Sequence, residues 1–194
     1  MVHHNVSWEN IDFIELGDAR TADTLVAYNR DASTLARATF LVVHGRGQRY
    51  GPTARTVVLN NTTYLSGADG HAVSCTGGCG PDILSFRDNI VWAEDRVGHS
   101  TDAFDEGGNI YWRSNGRPRI FFAIDPSSRI ADPGFVDPGA GDPATGDLHL
   151  VAGSPAIDTG SGLAGVLGFA SDVDGVAVPQ GAGPDIGAYE WSAP

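Results

Sequence analysis

The chain has 194 residues, enough for one domain with a substantial core, and its formal net charge is -12. All 12 basic residues are arginine, whereas 19 of the 24 acidic residues are aspartate. A chain with this much negative charge is not expected to bind the phosphates of nucleic acids or anionic membranes. It contains no run of about 18 apolar residues, so no transmembrane helix is predicted. Aspartate and the 26 glycines favour turns over helices.

A phrase in which asparagine is followed three residues later by an aromatic residue recurs along the chain. Its copies are Asn5-Val6-Ser7-Trp8, a degenerate Asn29-Arg30-Asp31-Ala32, Asn61-Thr62-Thr63-Tyr64, Asn89-Ile90-Val91-Trp92 and Asn109-Ile110-Tyr111-Trp112. The successive asparagines are 24, 32, 28 and 20 residues apart. A constant phrase at unequal intervals is typical of a solenoid whose strands stay in step while its loops vary.

The chemistry of the phrase suggests a role for each position. Asparagine tolerates a left-handed backbone, and its amide can bond to the equivalent residue in the next coil. Residues one and three places later, such as Ile90 and Trp92, share a side of the strand, and we expect them to point inward as core columns. Further strands are predicted in the β-rich runs 11–16, 39–43, 56–59, 72–74 and 120–123. A β-sandwich is the competing fold, but it gives no reason for the phrase to repeat.

The last third of the chain carries an ordered set of motifs. They are Asp105-Glu106-Gly107-Gly108-Asn109-Ile110-Tyr111-Trp112, Ile130-Ala131-Asp132-Pro133-Gly134-Phe135-Val136-Asp137-Pro138, Gly146-Asp147-Leu148-His149-Leu150, Gly153-Ser154-Pro155-Ala156-Ile157-Asp158-Thr159-Gly160, Asp172-Val173-Asp174-Gly175 and Gly183-Pro184-Asp185-Ile186-Gly187-Ala188-Tyr189-Glu190-Trp191. As a set, over about residues 105–191, they resemble the C-terminal module of pectate-lyase-like β-helix proteins, including those termed choice-of-anchor Q proteins.

The resemblance implies an all-β fold, a right-handed parallel β-helix (solenoid) of about five coils with a C-terminal capping segment. The coils would occupy residues 1–125, and residues 126–194 would form the helix end and cap of the same domain. We expect Ile157, Ile186 and Tyr189 to lie across the last coil, because an open solenoid end exposes its core. Residues 172–175 lack the spacing and terminal glutamate of an EF-hand loop, which favours a solvated turn over a calcium site.

The same resemblance implies a secreted or cell-surface protein of bacterial type that holds a polysaccharide in a groove along one outer sheet. It would cleave that polysaccharide as a glycoside hydrolase or a polysaccharide lyase, and calcium is a candidate cofactor because some lyases of this type use it. The alternative is a non-catalytic carbohydrate-binding or surface-anchored structural module. No catalytic motif of the family is reproduced in the chain, so candidate residues come from local character alone.

Five residues are candidates for acid–base chemistry. Glu94, Asp95 and His99 follow the third full copy of the phrase and could supply an acid–base set, unless they form an ordinary salt-bridged turn. Glu15 is an outward-facing acid in an apolar strand, and His71 follows a turn that we place one coil before His99. If the coils stack, Glu15, His71 and His99 approach one outer face.

The candidates for substrate binding are mainly basic. His44, Arg46, Arg49 and Tyr50 belong to a glycine-rich loop, in which arginine and histidine could hold a carboxylate. A solvated loop is the alternative. Arg96 completes the set from the second cluster. The sequence predicts no metal site.

The two cysteines and the N-terminus leave alternatives open. The spacing Cys75-Thr76-Gly77-Gly78-Cys79 permits a small disulfide or two free thiols, and half of a metal site lacks a partner pair. A disulfide would fit an oxidising compartment. The chain enters a predicted strand at once, so either a leader has been removed or the chain begins inside a longer protein. An uncapped N-terminal end suggests a homo-oligomer.

Overall fold

The structure is a computed structural model that describes residues 1–139 and 142–193. Its elements, in chain order, are β1 (Val2–His3), β2 (Val6–Trp8), β3 (Asp12–Leu16), β4 (Leu25–Ala27), β5 (Arg30–Ser33), β6 (Thr39–His44), β7 (Thr56–Leu59), β8 (Thr62–Leu65), β9 (His71–Thr76), β10 (Leu84–Arg87), β11 (Ile90–Ala93), β12 (Arg96–His99), β13 (Asp105–Gly107), β14 (Ile110–Trp112), β15 (Ile120–Phe121), β16 (Arg129–Ile130), β17 (Phe135–Asp137), β18 (Asp147–Leu150) and α1 (Leu163–Val166). Each of the β-rich runs predicted from sequence therefore overlaps a strand, although the runs 11–16 and 120–123 extend beyond β3 and β15.

Three parallel sheets are built by taking every third strand as far as β15, and β16 then pairs with β14. Sheet A has the order β1-β4-β7-β10-β13, sheet B the order β2-β5-β8-β11-β14-β16, and sheet C the order β3-β6-β9-β12-β15. The last two long strands, β17 and β18, form a separate antiparallel pair. This topology is consistent with the all-β parallel solenoid predicted from the repeat.

The main core lies among the three sheets. Phe86 from sheet A, Val91 and Tyr111 from sheet B, and Leu41 and Val73 from sheet C are fully buried in one apolar cluster. Burial of such side chains contributes about 1.5–3 kcal/mol each, which makes this interior the main source of cohesion between the stacked strands.

The predicted asparagine ladder is present. The side-chain amides of Asn5, Asn29, Asn61 and Asn89 each donate to the Oδ1 atom of the next asparagine, at 2.8–3.0 Å, and the last acceptor is Asn109. The left-handed residue is the one before each asparagine, contrary to expectation: His4, Tyr28, Asn60, Asp88 and Gly108 all have positive φ. The asparagine's own amide serves the ladder, and the preceding residue makes the turn.

The prediction that the aromatic positions point into the solenoid is wrong. The interior column of sheet B is the one that contains Val91 and Tyr111, whereas Ile90, Trp92 and Tyr64 belong to a second cluster on the opposite face of the sheet. Both faces of these strands are buried, so the apolar residues do not alternate in a way that identifies the inner face.

The C-terminal segment covers that second face of sheet B. The amide nitrogen of Ala188 donates to Oγ1 of Thr62 at 2.9 Å, and the nitrogen of Gly187 donates to the carbonyl of Asp88 at 2.9 Å. Gly187 has φ 98°, and a Cβ there would lie 2.7 Å from the Ile90 side chain, so only glycine fits.

Two expectations for this segment differ from the structure. Ile186 and Tyr189 pack with Ala32, Tyr64 and Ile90 along the flank of sheet B, rather than across the last coil. Packing against this flank buries Ile186 almost completely.

The turn at residues 172–175 is solvated only in part: Asp174 and Gly175 are exposed, whereas Asp172 anchors the turn. Asp172 is 1% exposed, and its carboxylate accepts hydrogen bonds from the backbone nitrogens of Asp174, Val176 and Glu190. A buried carboxylate requires such donors, because burial without them is costly.

At the other end of the sheets, β1, β2 and β3 are the outermost strands, and half of the surface of both Val6 and Trp8 is exposed. Within residues 1–139 and 142–193, α1 is the single helix, and no helix has the length and apolar character needed to cross a membrane.

Candidate functional site on sheet C

The outer face of sheet C presents one column of aligned residues. Strand register places Glu15, Val42, Ser74, His99 and Phe121 side by side on successive strands. At about 4.8 Å per strand, the column is roughly 19 Å long. It therefore offers an extended surface rather than a closed pocket.

Glu15 and His44 form a pair at one end of this face. Nε2 of His44 donates to Oε1 of Glu15 at 2.8 Å. The Glu15 side chain is 57% exposed and that of His44 only 13%. Nδ1 of His44 is buried and has no hydrogen-bond partner within the part of the chain that the structure describes. The group of this pair that can reach a ligand is therefore the carboxylate.

Tyr50 and Arg49 lie beside this pair. The Tyr50 ring meets the His44 ring edge-on at 6.2 Å between centroids, and it is 57% exposed. The Arg49 guanidinium sits 5.3 Å from the centroid of the Tyr50 ring, in the range of a cation–π contact. An acid, an exposed aromatic ring and a cation thus meet in one place.

The loop that carries Tyr50 is fastened to the disulfide loop. Cys75 and Cys79 are bonded to each other, which selects one of the alternatives left open by the sequence. The amide nitrogens of Gly45 and Gly47 donate to the carbonyls of Thr76 and Gly77, at 2.7 and 2.8 Å. This backbone pairing positions residues 45–51 over sheet C.

Arg46, predicted to bind substrate, is turned away from this group. Its guanidinium donates to both carboxylate oxygens of Asp82, and both side chains are more than half exposed. The charge of this exposed pair is satisfied within the protein.

A second group lies further along the same face, and it contains His71, His99 and Arg96. The two imidazole rings are 5.8 Å apart, and Nδ1 of each is buried with no partner among the described residues. Burial lowers the pKa of both histidines, and the positive charge of Arg96 lowers them further, although the backbone at Asp69 opposes this for His71. These lowered pKa values favour the neutral form of both rings.

Asp95 stabilises the basic residues of this second group. Its carboxylate is 8% exposed, accepts a hydrogen bond from Arg96 at 3.0 Å and also pairs with Arg119. One buried carboxylate thus holds two guanidinium groups, which leaves a local excess of positive charge.

Glu94 belongs to neither group. Its carboxylate accepts hydrogen bonds from Nε1 of Trp92 at 2.6 Å and from the nitrogen of Ser114 at 3.1 Å. Burial alone would raise the pKa of Glu94, but these hydrogen bonds outweigh it and leave the pKa below its ordinary value. These contacts fix the carboxylate in its charged form.

The structure brings the predicted residues together in two groups rather than one. Glu15 and His99 share the outer column, but three strand spacings, roughly 14 Å, separate them. His71 is close to His99 and lies on β9, two strands from the Glu15 strand. One sugar residue could not contact all three.

Sequence reasoning missed Arg119, Phe121 and Ser74 on this face. Arg119 lies 5.8 Å from the Phe121 ring centroid, and Phe121 is 53% exposed. The alternation of polar and apolar residues at Arg119, Ile120 and Phe121 could have indicated a strand with an outward-facing aromatic side chain. No sequence pattern marks Ser74, which is identified only by its register with His99.

Among the described residues, no three His, Cys, Asp or Glu side chains are arranged to hold a metal ion. Calcium stays a candidate cofactor. In comparisons with family models, curated proteins and solved structures, the chain matches none of them.

Proposed function

We propose that this protein is a secreted, carbohydrate-active β-helix protein that cleaves an anionic polysaccharide along the outer face of sheet C. The proposed fold is a right-handed parallel β-helix of about five coils. We propose that it is of the pectate-lyase-like type and that its C-terminal region is similar to that of choice-of-anchor Q proteins. The observation that carries it is the Glu15–His44 pair beside exposed Tyr50 and Arg49.

The charges on this face support an anionic chain as ligand. The protein as a whole carries a net charge of -12, yet Arg96 and Arg119 share one carboxylate here, and Arg49 stands over an aromatic ring. Guanidinium groups bind carboxylates in a bidentate manner. Exposed Tyr50 and Phe121, near the two ends of the face, offer surfaces on which sugar rings stack.

Elimination is the reaction that these residues suit best. Glu15 would accept the proton from the carbon that bears the uronate carboxylate, and Arg49 would neutralise that carboxylate. The neighbouring carbon–oxygen bond then breaks, a carbon–carbon double bond forms, and the leaving sugar oxygen takes a proton from water. His44 would hold Oε1 of Glu15, so that the other oxygen faces the substrate.

Hydrolysis is less well supported, because it needs one carboxylic acid that is protonated near neutral pH. Asp18 belongs to the loop that follows the Glu15 strand, but hydrogen bonds from Arg20 lower the pKa of Asp18 to about 2. Glu94 also has a lowered pKa. Neither carboxylate has the environment of a general acid.

The alternative is a carbohydrate-binding or surface-anchored module without catalysis. It is favoured by the hydrogen bonds of Glu94 and Asp95 to neighbouring protein groups. Of the three carboxylates predicted to be catalytic, Glu15 is then the one that is mainly exposed, and it too is paired, with His44. In that case the same face binds glycan without turnover. The disulfide between Cys75 and Cys79 supports a secreted or cell-surface location under either function.

The test is a polysaccharide screen with pectin, alginate, glycosaminoglycans, xylan and cellulose, each with added calcium and with EDTA. Unsaturated uronates and reducing ends are measured in parallel. We expect unsaturated product from an anionic glycan, and a loss of about 100-fold or more in Glu15→Gln. Asp12→Asn is the matched control, because it removes an exposed carboxylate from the same strand.

The outcomes separate the hypotheses. Reducing ends without unsaturation would contradict elimination and favour hydrolysis. Saturable glycan binding without any product would favour the binding module. Folded protein that neither binds nor cleaves any member of the panel would overturn the proposal.

A homo-oligomer through the end formed by β1, β2 and β3 is a separate part of the proposal. The half-exposed Val6 and Trp8 at this end support it. Size-exclusion chromatography with light scattering is its test, and a stable monomer at high concentration would contradict it.

A further inference from the structure

A polar cavity lies away from sheet C, between the end of β10, the start of β16 and the C-terminal segment. Its volume is about 410 Å³, within the range of small-molecule sites, and Arg87, Asp88, Ser127, Arg129 and Ser161 are among its lining residues. The cavity therefore combines two guanidinium groups, one carboxyl group and several hydroxyls.

The two arginines differ in how far the protein satisfies them. Arg87 is paired with Asp105, to which its Nε donates at 3.0 Å. Arg129 is exposed, and its Nη1 donates to the carbonyl of Pro155 at 2.9 Å. A carbonyl carries no full charge, so Arg129 keeps its positive charge available to a ligand.

Asp88 supplies an acceptor from the wall of the same cavity. Its residue is 1% exposed, and Oδ2 accepts hydrogen bonds from the nitrogen of Ser161, at 3.1 Å, and from the Ser161 hydroxyl. Oδ1 faces Gly108, where an added Cβ would come within 2.3 Å of it. Glycine at this position, with φ 68°, leaves room in front of the carboxyl group.

This combination discriminates between kinds of ligand. A bare anion would be attracted by Arg129 but repelled by the Asp88 carboxylate. A sugar that carries an acidic group satisfies both, because its carboxylate meets the guanidinium while its hydroxyls donate to the carboxylate and exchange hydrogen bonds with Ser127 and Ser161.

We propose that this cavity is a binding site for a single uronic acid residue, either free or at the end of a chain, with Arg129 on its carboxylate and Asp88 on its hydroxyls. The site stands independently of the proposed cleavage, since it shares no residue with the sheet C face. It gives the protein a second point of attachment to an acidic glycan.

The experiment is a titration of isotope-labelled wild-type protein with methyl galacturonoside and methyl glucuronoside, followed by amide chemical shifts. We expect saturable shifts at Gly108, Ser127 and Ser161 with at least one of the two. Methyl galactoside, which lacks the acid, and acetate, which lacks the hydroxyls, should each bind about tenfold or more weakly, because each loses a set of charge-assisted hydrogen bonds.

Substitution tests the role of the arginine. Arg129→Gln keeps a polar side chain at this position but removes its positive charge, and it should weaken uronate binding about tenfold or more. Arg37→Gln is the control, because Arg37 is exposed in another loop and does not line the cavity. Unchanged thermal unfolding of Arg129→Gln would separate loss of binding from loss of fold.

Acetate that binds as tightly as the uronates would overturn the sugar assignment. Uronate shifts confined to the sheet C residues, or no saturable shift at any amide, would overturn the site. Because no product is measured, these results do not depend on whether Glu15 is catalytic.

Discussion

The side chain of Asn61 donates to Oδ1 of Asn89 at 2.9 Å, and the Asn61 backbone nitrogen donates to the same oxygen at 3.0 Å. Both residues are at most 1% exposed. Oδ1 of Asn89 therefore accepts two hydrogen bonds from Asn61, and the same arrangement repeats along the ladder. Such buried, fully paired amides align successive strands because no other register satisfies them.

Asn61→Ala should destabilise the fold strongly. It removes the acceptor for Asn29 and the donor to Asn89, and buried groups left unpaired cost about 1–3 kcal/mol each. We expect the free energy of unfolding in urea to fall by about 3–5 kcal/mol. Asn5→Ala, at the exposed end of the ladder, is the control and should cost about 1 kcal/mol or less. Equal losses at the two positions would contradict a cooperative ladder.

Ile186→Ala tests whether the C-terminal segment is integral to the fold. Ile186 is 1% exposed and packs with sheet B, so its truncation should cost about 2–5 kcal/mol in unfolding free energy. Val166→Ala, at an 82% exposed position, should change stability by less than about 0.5 kcal/mol. An unchanged global transition in Ile186→Ala would mean that the segment unfolds separately from the sheets.

The buried carboxyl group of Asp31 should make the free energy of unfolding depend on pH. Burial raises the pKa of Asp31 to about 7, although hydrogen bonds from Ser7 and Asn10 and the charge of Arg30 oppose the increase. The folded state therefore holds a proton that the unfolded state releases near pH 4. The stabilisation from the protonated form is complete below that pH and is lost as pH rises toward 7, by up to about 4 kcal/mol.

Asp31→Asn removes this titration. Relative to wild type, the variant should gain stability as pH rises from about 4 to 7, and the difference should level off above that range. Urea unfolding of both proteins across this pH range measures it. A difference that is constant with pH would show that Asp31 titrates normally.

The disulfide should control the loop that carries the candidate site. Replacement of Cys75 and Cys79 by serine should lower the free energy of unfolding by about 2 kcal/mol, because the closed loop is short. Amide exchange should accelerate at Gly45 and Gly47, which donate to this loop, and change less at Asn61. If all three amides respond equally, the disulfide acts only through global stability.

The repeated asparagine phrase allowed the parallel stacking of coils and the asparagine ladder to be predicted. This was possible because both depend on short-range chemistry that recurs at each level: a turn, an amide and a short strand. The cysteine spacing likewise permitted the disulfide that formed. None of these predictions depended on knowing which distant segments of the chain come into contact.

The face on which each side chain lies could not be obtained in this way. Ile90 and Trp92 were expected inside, but they lie under the C-terminal segment, nearly 100 residues away in sequence. A strand buried on both faces has no polar alternation, so its sequence is the same whichever face is inward.

The sequence by itself determined the secondary structure class and the position of the recurring turn, and it predicted candidate site residues near residues 44–50 and 94–99. Only the tertiary structure decided that Glu15 meets His44 while His71 meets His99. The physical reason is register. Loops of unequal length separate the strands, so spacing along the chain does not fix which residues align, and a shift of one residue would turn each side chain to the other face.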